Sequence, residues 1–250
     1  MPAVLLTGYD FGYTWPWTHG HLVVAIACGA LAWLLRKRLR RAVSAVLVLC
    51  SIWALAGFVI VQFVFGYNRP MALPAERFMA QGRGKVLDVG CGGGRTTVMM
   101  GLARPGVRIT ALDNFSADYI KNNGPELLMS NAKAAGAESR VEVVSADMRR
   151  MPFEAGEFDG VVSTYAIDHL NRQGIVEALG EVSRVLKPGG EFLLVVFRKD
   201  AWLTVVYGPM LMHQRSVSDS FWGDMLSKAA LAVTEQGTLP GSVYYLCKRQ

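Results

Sequence analysis

Lys85-Val86-Leu87-Asp88-Val89-Gly90-Cys91-Gly92-Gly93-Gly94 runs a short apolar stretch straight into a glycine-rich loop, and Arg95 to Ala103 continues it as a helix. A strand, a glycine loop and a helix in this order open a doubly wound α/β sheet, in which a ligand packs against the loop. Glycines are required because the chain turns sharply and side chains would block close approach. A dinucleotide site would use a similar loop, but three features separate the two. Asp88 stands two residues before Gly90, where a carboxylate repels a pyrophosphate and suits a cationic ligand. The spacing Asp-x-Gly-x-Gly-x-Gly is not GxGxxG. A second strand, Arg108 to Leu112, ends in Asp113, a carboxylate placed to accept hydrogen bonds from both hydroxyls of a ribose.

Further segments continue the pattern in order. Ala111-Leu112-Asp113 is followed by Val141-Glu142-Val143-Val144-Ser145-Ala146-Asp147-Met148. Then come Met151-Pro152-Phe153, Phe158-Asp159-Gly160-Val161-Val162, and Glu181 to Gly190 with its Leu186-Lys187-Pro188-Gly189-Gly190 turn. Taken together, residues of about 84 to 197 resemble the class I S-adenosylmethionine-dependent methyltransferases, and most of all the branch of quinone and sterol methyltransferases. The resemblance implies a Rossmann-like α/β sheet of seven strands and S-adenosylmethionine as cofactor. It assigns the cofactor to Asp88, Gly90, Gly92, Gly94, Asp113, Asn114, Asp147, Met148 and Tyr165, with Asp147 toward the adenine amino group. On residue type alone, Asp113 could equally cap a helix and Asp147 start a turn. Strands are expected at 85–89, 108–113, 141–145, 158–163, 191–197, 231–236 and 243–248. Gly237 to Gly241 joins the last two, one of which runs antiparallel. Asn114 to Pro125 is longer than is usual for this branch and would cover either cofactor or substrate.

Methyl transfer needs an aligned nucleophile, so proximity can supply most of the acceleration. A base is required only where the acceptor loses a proton. The candidates are Asp168 and His169, in Ser163-Thr164-Tyr165-Ala166-Ile167-Asp168-His169-Leu170 at the end of the fourth strand. They would act as a base pair, imidazole being the side chain that titrates near neutrality. In the alternative, His169 packs under the loop and Asp168 caps the next helix. Ala201 to Trp222 carries Trp202, Tyr207, Met210, Met212, His213, Phe221 and Trp222, an apolar set suited to a substrate cover or to ordinary core.

The 250 residues carry a net charge of +6, but residues 1–69 hold six Lys/Arg against Asp10 alone. The rest is nearly balanced, which argues against nucleic acid as partner. The cysteines Cys28, Cys50, Cys91 and Cys247 have no metal-ligand spacing and read as small buried hydrophobes. Ala42 to Phe65 is uncharged and long enough to span a bilayer. A first span over 15–35 would place Tyr9, Phe11, Tyr13, Trp15 and Trp17 at the headgroup level. Between them lies Arg36-Lys37-Arg38-Leu39-Arg40-Arg41. This run favours a cytosolic loop and hence an external catalytic domain, whereas a cytosolic cofactor requires the opposite orientation.

The expected protein is thus a helical hairpin, residues 1–69, that anchors a methyltransferase domain, residues 70–250, to a membrane. Gly66 to Pro74 would link the two, and the catalytic domain would face the cytosol. Its acceptor would be small and lipophilic: a quinone or isoprenoid, a lipid headgroup or a hydrophobic thiol. No metal is called for. The alternative is a tethered module that binds S-adenosylmethionine without turnover.

Overall fold

A computed structural model describes residues 8–208 and 219–250. Seven strands form one sheet: β1 (Gly84–Val89), β2 (Val107–Asp113), β3 (Val141–Ser145), β4 (Phe158–Thr164), β5 (Leu186–Phe197), β6 (Leu231–Leu239) and β7 (Ser242–Arg249). Their spatial order is β3-β2-β1-β4-β5-β7-β6. The first five are parallel, and β7 lies antiparallel to both β5 and β6. All seven expected strands are present, but β5 begins at Leu186 and takes in the expected Leu186–Gly190 turn, because Leu186 already pairs with Phe158 across a shift in register. In β1, Val86 to Val89 are buried on both faces, as a central parallel strand requires. The closing hairpin turns later than expected, because Gly237 stays in β6 opposite Tyr244. A Cβ at Gly237 would stand 2.5 Å from the Tyr244 ring, so the ring occupies the space that glycine leaves.

Helices α3 (Arg95–Ala103), α4 (Pro125–Ala134) and α5 (Arg172–Val185) cover the sheet. In α5 the buried Ile175, Ala178, Leu179, Val182 and Val185 recur at helical spacing. Asn171 caps α5 by accepting the Gly174 N–H at 2.8 Å, so Asp168 is not its cap. The expected substrate cover divides. Helix α6 (Ala201–Tyr207) lies near the N-terminal helices, whereas α7 (Asp219–Lys228) inserts Trp222 into the main core beside Phe192 and Tyr245. Trp222 is therefore core, and Met210, Met212 and His213 lie outside the described residues.

The N-terminal helices α1 (Trp15–Leu34) and α2 (Arg41–Ile60), the latter prolonged by a wider turn over Val61–Phe65, form an antiparallel hairpin. Small residues make the seam. Ala25, Ala32, Ala54 and Gly57 are buried, and Ser51 donates to the Ala25 carbonyl at 2.8 Å. Such close-packed small residues suit helices that pair without a hydrophobic driving force. Much of the outer surface is bare and apolar, with Ile26, Leu34, Leu49 and Ile52 all more than half exposed. Both helices have the length and composition of membrane spans. Their inner ends adjoin the sheet domain, so the basic loop between them lies at the far end.

Candidate functional site

The chain order reverses between β1 and β4, and the ends of those strands open a crevice of the kind where ligands bind. Gly90 and Cys91 donate to the Leu112 carbonyl at 2.8 and 3.2 Å, stapling the glycine loop to β2. The Asp113 carboxylate holds the loop from the other side. One oxygen accepts from Gly92 N at 2.8 Å and the other from Phe115 N at 2.6 Å. Each oxygen retains a lone pair, and Asp113 lines a cavity of about 880 Å³ together with Gly90, Gly92, Asn114, Met148 and Tyr165. A rigid glycine cradle and a carboxylate with spare acceptor capacity fit the ribose and main-chain contacts of S-adenosylmethionine.

Three expected cofactor residues lie off the cavity wall. Gly94 begins α3 with φ +87°, a conformation that glycine adopts freely. Asp147 is paired with Arg149 at 2.6 Å and accepts the Arg149 N–H in a local turn. Those bonds hold its carboxyl below the usual range. The turn-forming alternative thus describes its contacts, and Met148 alone of that pair reaches the cavity. Asp88 is fully buried beneath the loop. Thr97 donates to one of its oxygens at 2.6 Å, and the other has no partner among the described residues.

Burial pushes the Asp88 carboxyl up to about 7. An acid whose pKa is higher folded than unfolded binds its proton more tightly in the native state. Its stabilising effect is complete below pH of about 4 and is lost as pH rises through about 7. Asp88→Asn should therefore leave the cofactor-free protein less sensitive to alkali. Between pH 5 and 8 its Tm should gain on that of the wild type by about 5 °C. Parallel melting curves across that range would contradict the assignment.

The loop after β4 faces the glycine loop. Tyr165 sits at φ +53°, an unfavourable conformation for a non-glycine residue. It is held there by its N–H to Val195 O at 2.9 Å and by its hydroxyl on Ser242 Oγ at 2.8 Å. Asp168 is half-buried, with its carboxyl enclosed, and accepts the Phe197 N–H at 3.0 Å. Its second oxygen is without a partner among the described residues. Burial raises its carboxyl above the usual range, partly offset by neighbouring His169. His169 lines the cavity, with ring centroids 6.1 Å from Tyr119 and 6.3 Å from Phe197. Asp168 and His169 are thus neighbours in different surroundings, one fixed to the backbone of β5 and the other facing the cavity.

Several elements that sequence reading placed elsewhere build the rest of the cavity. Phe11 and Tyr13, expected at a membrane surface, lie on its wall, and Phe11 is buried. Tyr13 pairs as a β-bridge with Ile120, and Lys121 N donates to Gly12 O at 2.7 Å. Residues 8–14 and the 114–125 insertion therefore roof the glycine loop together. The Phe11 carbonyl presses so close to Gly93 that a Cβ there would lie 2.5 Å away. Asn131 clamps this strap: its oxygen accepts from Asp10 N at 2.9 Å, and its NH₂ donates to Asp10 O at 2.6 Å and Gly93 O at 2.8 Å.

No pattern in residues 8–14 signals a backbone bridge to a segment more than a hundred positions away. Asn131→Ala should free the strap, weaken S-adenosylmethionine binding about tenfold and lower Tm. Buried polar groups left unpaired cost about 1–3 kcal/mol each. An unchanged calorimetric Kd would show that the strap does not support the loop.

The expected linker is a wall. Arg95, the first residue of α3, donates to the carbonyls of Phe65, Gly66 and Arg69 at 2.8, 3.1 and 3.0 Å. This ties the end of α2 to the start of α3. Phe63, Phe65, Leu203 and Leu239 give part of the cavity wall an apolar lining, with the Arg69 guanidinium 5.5 Å from the Phe63 ring centroid and Tyr67 and Tyr207 joined hydroxyl to hydroxyl at 2.8 Å. Burial and the adjacent Tyr207 push the Tyr67 hydroxyl well above its usual range, so both phenols stay neutral.

Comparison with known proteins places the middle of the chain. The family described as "Methyltransferase domain" matches residues 86–190. A sterol 4-C-methyltransferase of Caenorhabditis elegans is 32% identical over 108 residues, 43% of this chain and 29% of that protein. A ubiquinone/menaquinone biosynthesis C-methyltransferase of Syntrophotalea carbinolica is 31% identical over 134 residues, 53% of this chain and 52% of the relative. An uncharacterized methyltransferase of Synechocystis is 32% identical over 153 residues, 61% of this chain and 66% of that one. The chain thus spans between 29% and 66% of the length of these relatives. Among solved structures, a Methanosarcina mazei methyltransferase superposes with TM-score 0.57 at 16% identity, covering 72% of this chain and 99% of that one. A geranyl diphosphate methyltransferase in complex with GPP and sinefungin gives 0.52 at 16% identity, covering 67% and 71%. At that identity these two speak for the fold alone. Residues 86–190 thus match the methyltransferase-domain family, and the sheet order and the geometry around Asp113 agree with the class I, S-adenosylmethionine-dependent type.

Proposed function

We propose that this chain is a membrane-anchored S-adenosylmethionine-dependent methyltransferase acting on a small lipophilic acceptor. One observation carries the reading. A single cavity joins the glycine loop and Asp113 to an apolar chamber at Phe63, Phe65, Leu203 and Tyr207, at the foot of the bare apolar hairpin. The relatives named for sterol and quinone C-methylation support an acceptor of that class.

The cofactor, when bound, supplies an electrophilic methyl group. The chain's own residues do the rest. Asp113 accepts hydrogen bonds from the ribose while its other lone pairs keep the glycine loop closed. The apolar chamber orients the acceptor, and the Tyr67–Tyr207 pair offers its polar end a donor and an acceptor. Residues 8–14 and 114–121 roof the site against water, which strengthens the electrostatic interactions beneath. His169 receives the proton that the acceptor loses, at a ring nitrogen, and Asp168 positions the turn through Phe197 N.

The test is incubation of the full chain, in vesicles containing lipid and quinone extracts, with methyl-labelled S-adenosylmethionine, followed by mass spectrometry. Label in an apolar product is expected. Cofactor binding without any labelled product would identify a non-catalytic binding module instead. The anchor is tested on the same material, since the protein should stay with the vesicles through an alkaline carbonate wash. A C-terminal reporter that fluoresces only in the cytosol should be bright, because the cofactor is cytosolic. A dark fusion would mean that the basic loop sets the orientation.

A further inference from the structure

The short helix α6 makes an unusual contact with the hairpin. The indole N–H of Trp53 donates to Val205 O at 2.7 Å, and the His21 Nε2–H donates to Val206 O at 2.8 Å. These carbonyls belong to the last described turn of α6, where helix carbonyls take partners from outside the helix, and Pro209, four residues after Val205, has no N–H to offer. In water such groups are hydrated. Within hydrocarbon each must find a partner in the protein, and two hairpin side chains provide one here.

The depth of that contact is the second observation. His21 lies six residues inside α1 from Trp15, and Trp53 twelve residues before Phe65, the two ends nearest the sheet domain. At 1.5 Å per residue, the contact lies about 9–18 Å along the hairpin. A hydrocarbon core is about 30 Å thick, close to the length of α1 itself. If the hairpin crosses the membrane, the end of α6 is inside it.

The surface of α6 suits that position. Its outer face carries Ala201, Trp202, Thr204 and Val205, all exposed. The hydroxyl of Thr204 is turned back onto Asp200 O at 2.6 Å. No charged side chain occurs from Ala201 to Met212. The inner face, Leu203, Val206 and Tyr207, packs with Val61, Phe65, Tyr67 and Phe197, and Leu203 and Tyr207 line the acceptor chamber.

We propose that α6 is a third membrane element, immersed beside the hairpin, with lipid on its outer face and the acceptor chamber on its inner face. The acceptor then passes sideways from the bilayer into the chamber without crossing water. This rests on the membrane reading of the hairpin, and the experiment separates the two.

In the full chain with Cys28 and Cys50 replaced by alanine, a bimane label is placed singly at Val205→Cys, Trp202→Cys, Leu49→Cys or Val176→Cys. The native Cys91 and Cys247 are buried. Val176 is exposed on α5, and Leu49 faces outward on α2. Vesicles of phosphatidylcholine and phosphatidylglycerol carry a nitroxide on the acyl chain, and iodide serves as the aqueous quencher. Labels at 205, 202 and 49 should lose about half of their emission or more to the lipid nitroxide and little to iodide, as hydrocarbon burial requires. The label at 176 should behave in the reverse way. Lipid quenching at 49 with only iodide quenching at 205 and 202 would leave the hairpin in the bilayer and overturn the immersion of α6. Iodide quenching at 49 as well would overturn both.

Discussion

Replacing Asp113 with alanine should weaken S-adenosylmethionine binding at least about a hundredfold while the sheet remains folded. Two losses combine. The ribose hydroxyls lose an ionised acceptor, and hydrogen bonds to charged groups contribute about 1.5–3 kcal/mol each. The N–H groups of Gly92 and Phe115, now 2.8 and 2.6 Å from the carboxylate, also lose the acceptor that shapes the loop. Every 1.4 kcal/mol is about tenfold in Kd, so two such bonds suffice. Titration calorimetry with S-adenosylhomocysteine on wild type and variant reads the effect directly. Asp113→Asn should fall between them, since an amide oxygen can keep one of the two N–H groups. An Asp113→Ala protein with wild-type affinity would remove the ribose assignment, and with it the cofactor reading of the cavity.

His169→Gln should lower kcat by about 10²–10⁴, the usual range for a general base. The imidazole lies on the cavity wall between Tyr119 and Phe197, and the residues that shape the glycine loop are on other strands. Cofactor affinity should accordingly stay within a few-fold. The experiment measures kcat, cofactor Kd and Tm on one preparation, with the acceptor that the labelling experiment identifies. Turnover close to wild type, with a lower Tm, would make His169 a packing residue and leave methyl transfer to proximity alone. Asp168→Asn separates positioning from proton transfer. Its remaining amide oxygen can still accept the Phe197 N–H, so its effect on kcat should be much smaller than that of His169→Gln.

How far the sequence reaches depends on the range of the interaction. The closing pair β6 and β7 was placed by the resemblance, β6 being largely polar along Leu231–Leu239, whereas β1 and β4 were legible because each is a short apolar run marked off by glycine or charge. Helix α3 was legible to the residue for the same reason. Asp113 was legible because the strand before it and the glycine loop set its place, and the strand's own end carries it to the crevice. Asp147 shows the limit of such placement. It occupies the expected position in order along the chain, yet Arg149, two residues on, takes its carboxylate into a local turn.

By itself, the sequence determined the α/β class, the glycine loop, the apolar hairpin and the confinement of excess charge to the N-terminus. These follow from periodicity and composition, which act over a few residues and leave a mark in the order of the amino acids. Only the tertiary structure decided that residues 8–14 roof the glycine loop, that Arg95 makes residues 65–69 a wall of the cavity, that Trp222 is core, and that α6 lies along the hairpin. Three of these depend on backbone carbonyls met from far along the chain: Phe11 O packs on Gly93, the Arg95 guanidinium takes the carbonyls of Phe65, Gly66 and Arg69, and the Trp53 indole takes Val205 O, while Trp222 depends on where α7 packs. Every residue carries the same backbone groups, so the identity of the side chains does not announce which of them will meet.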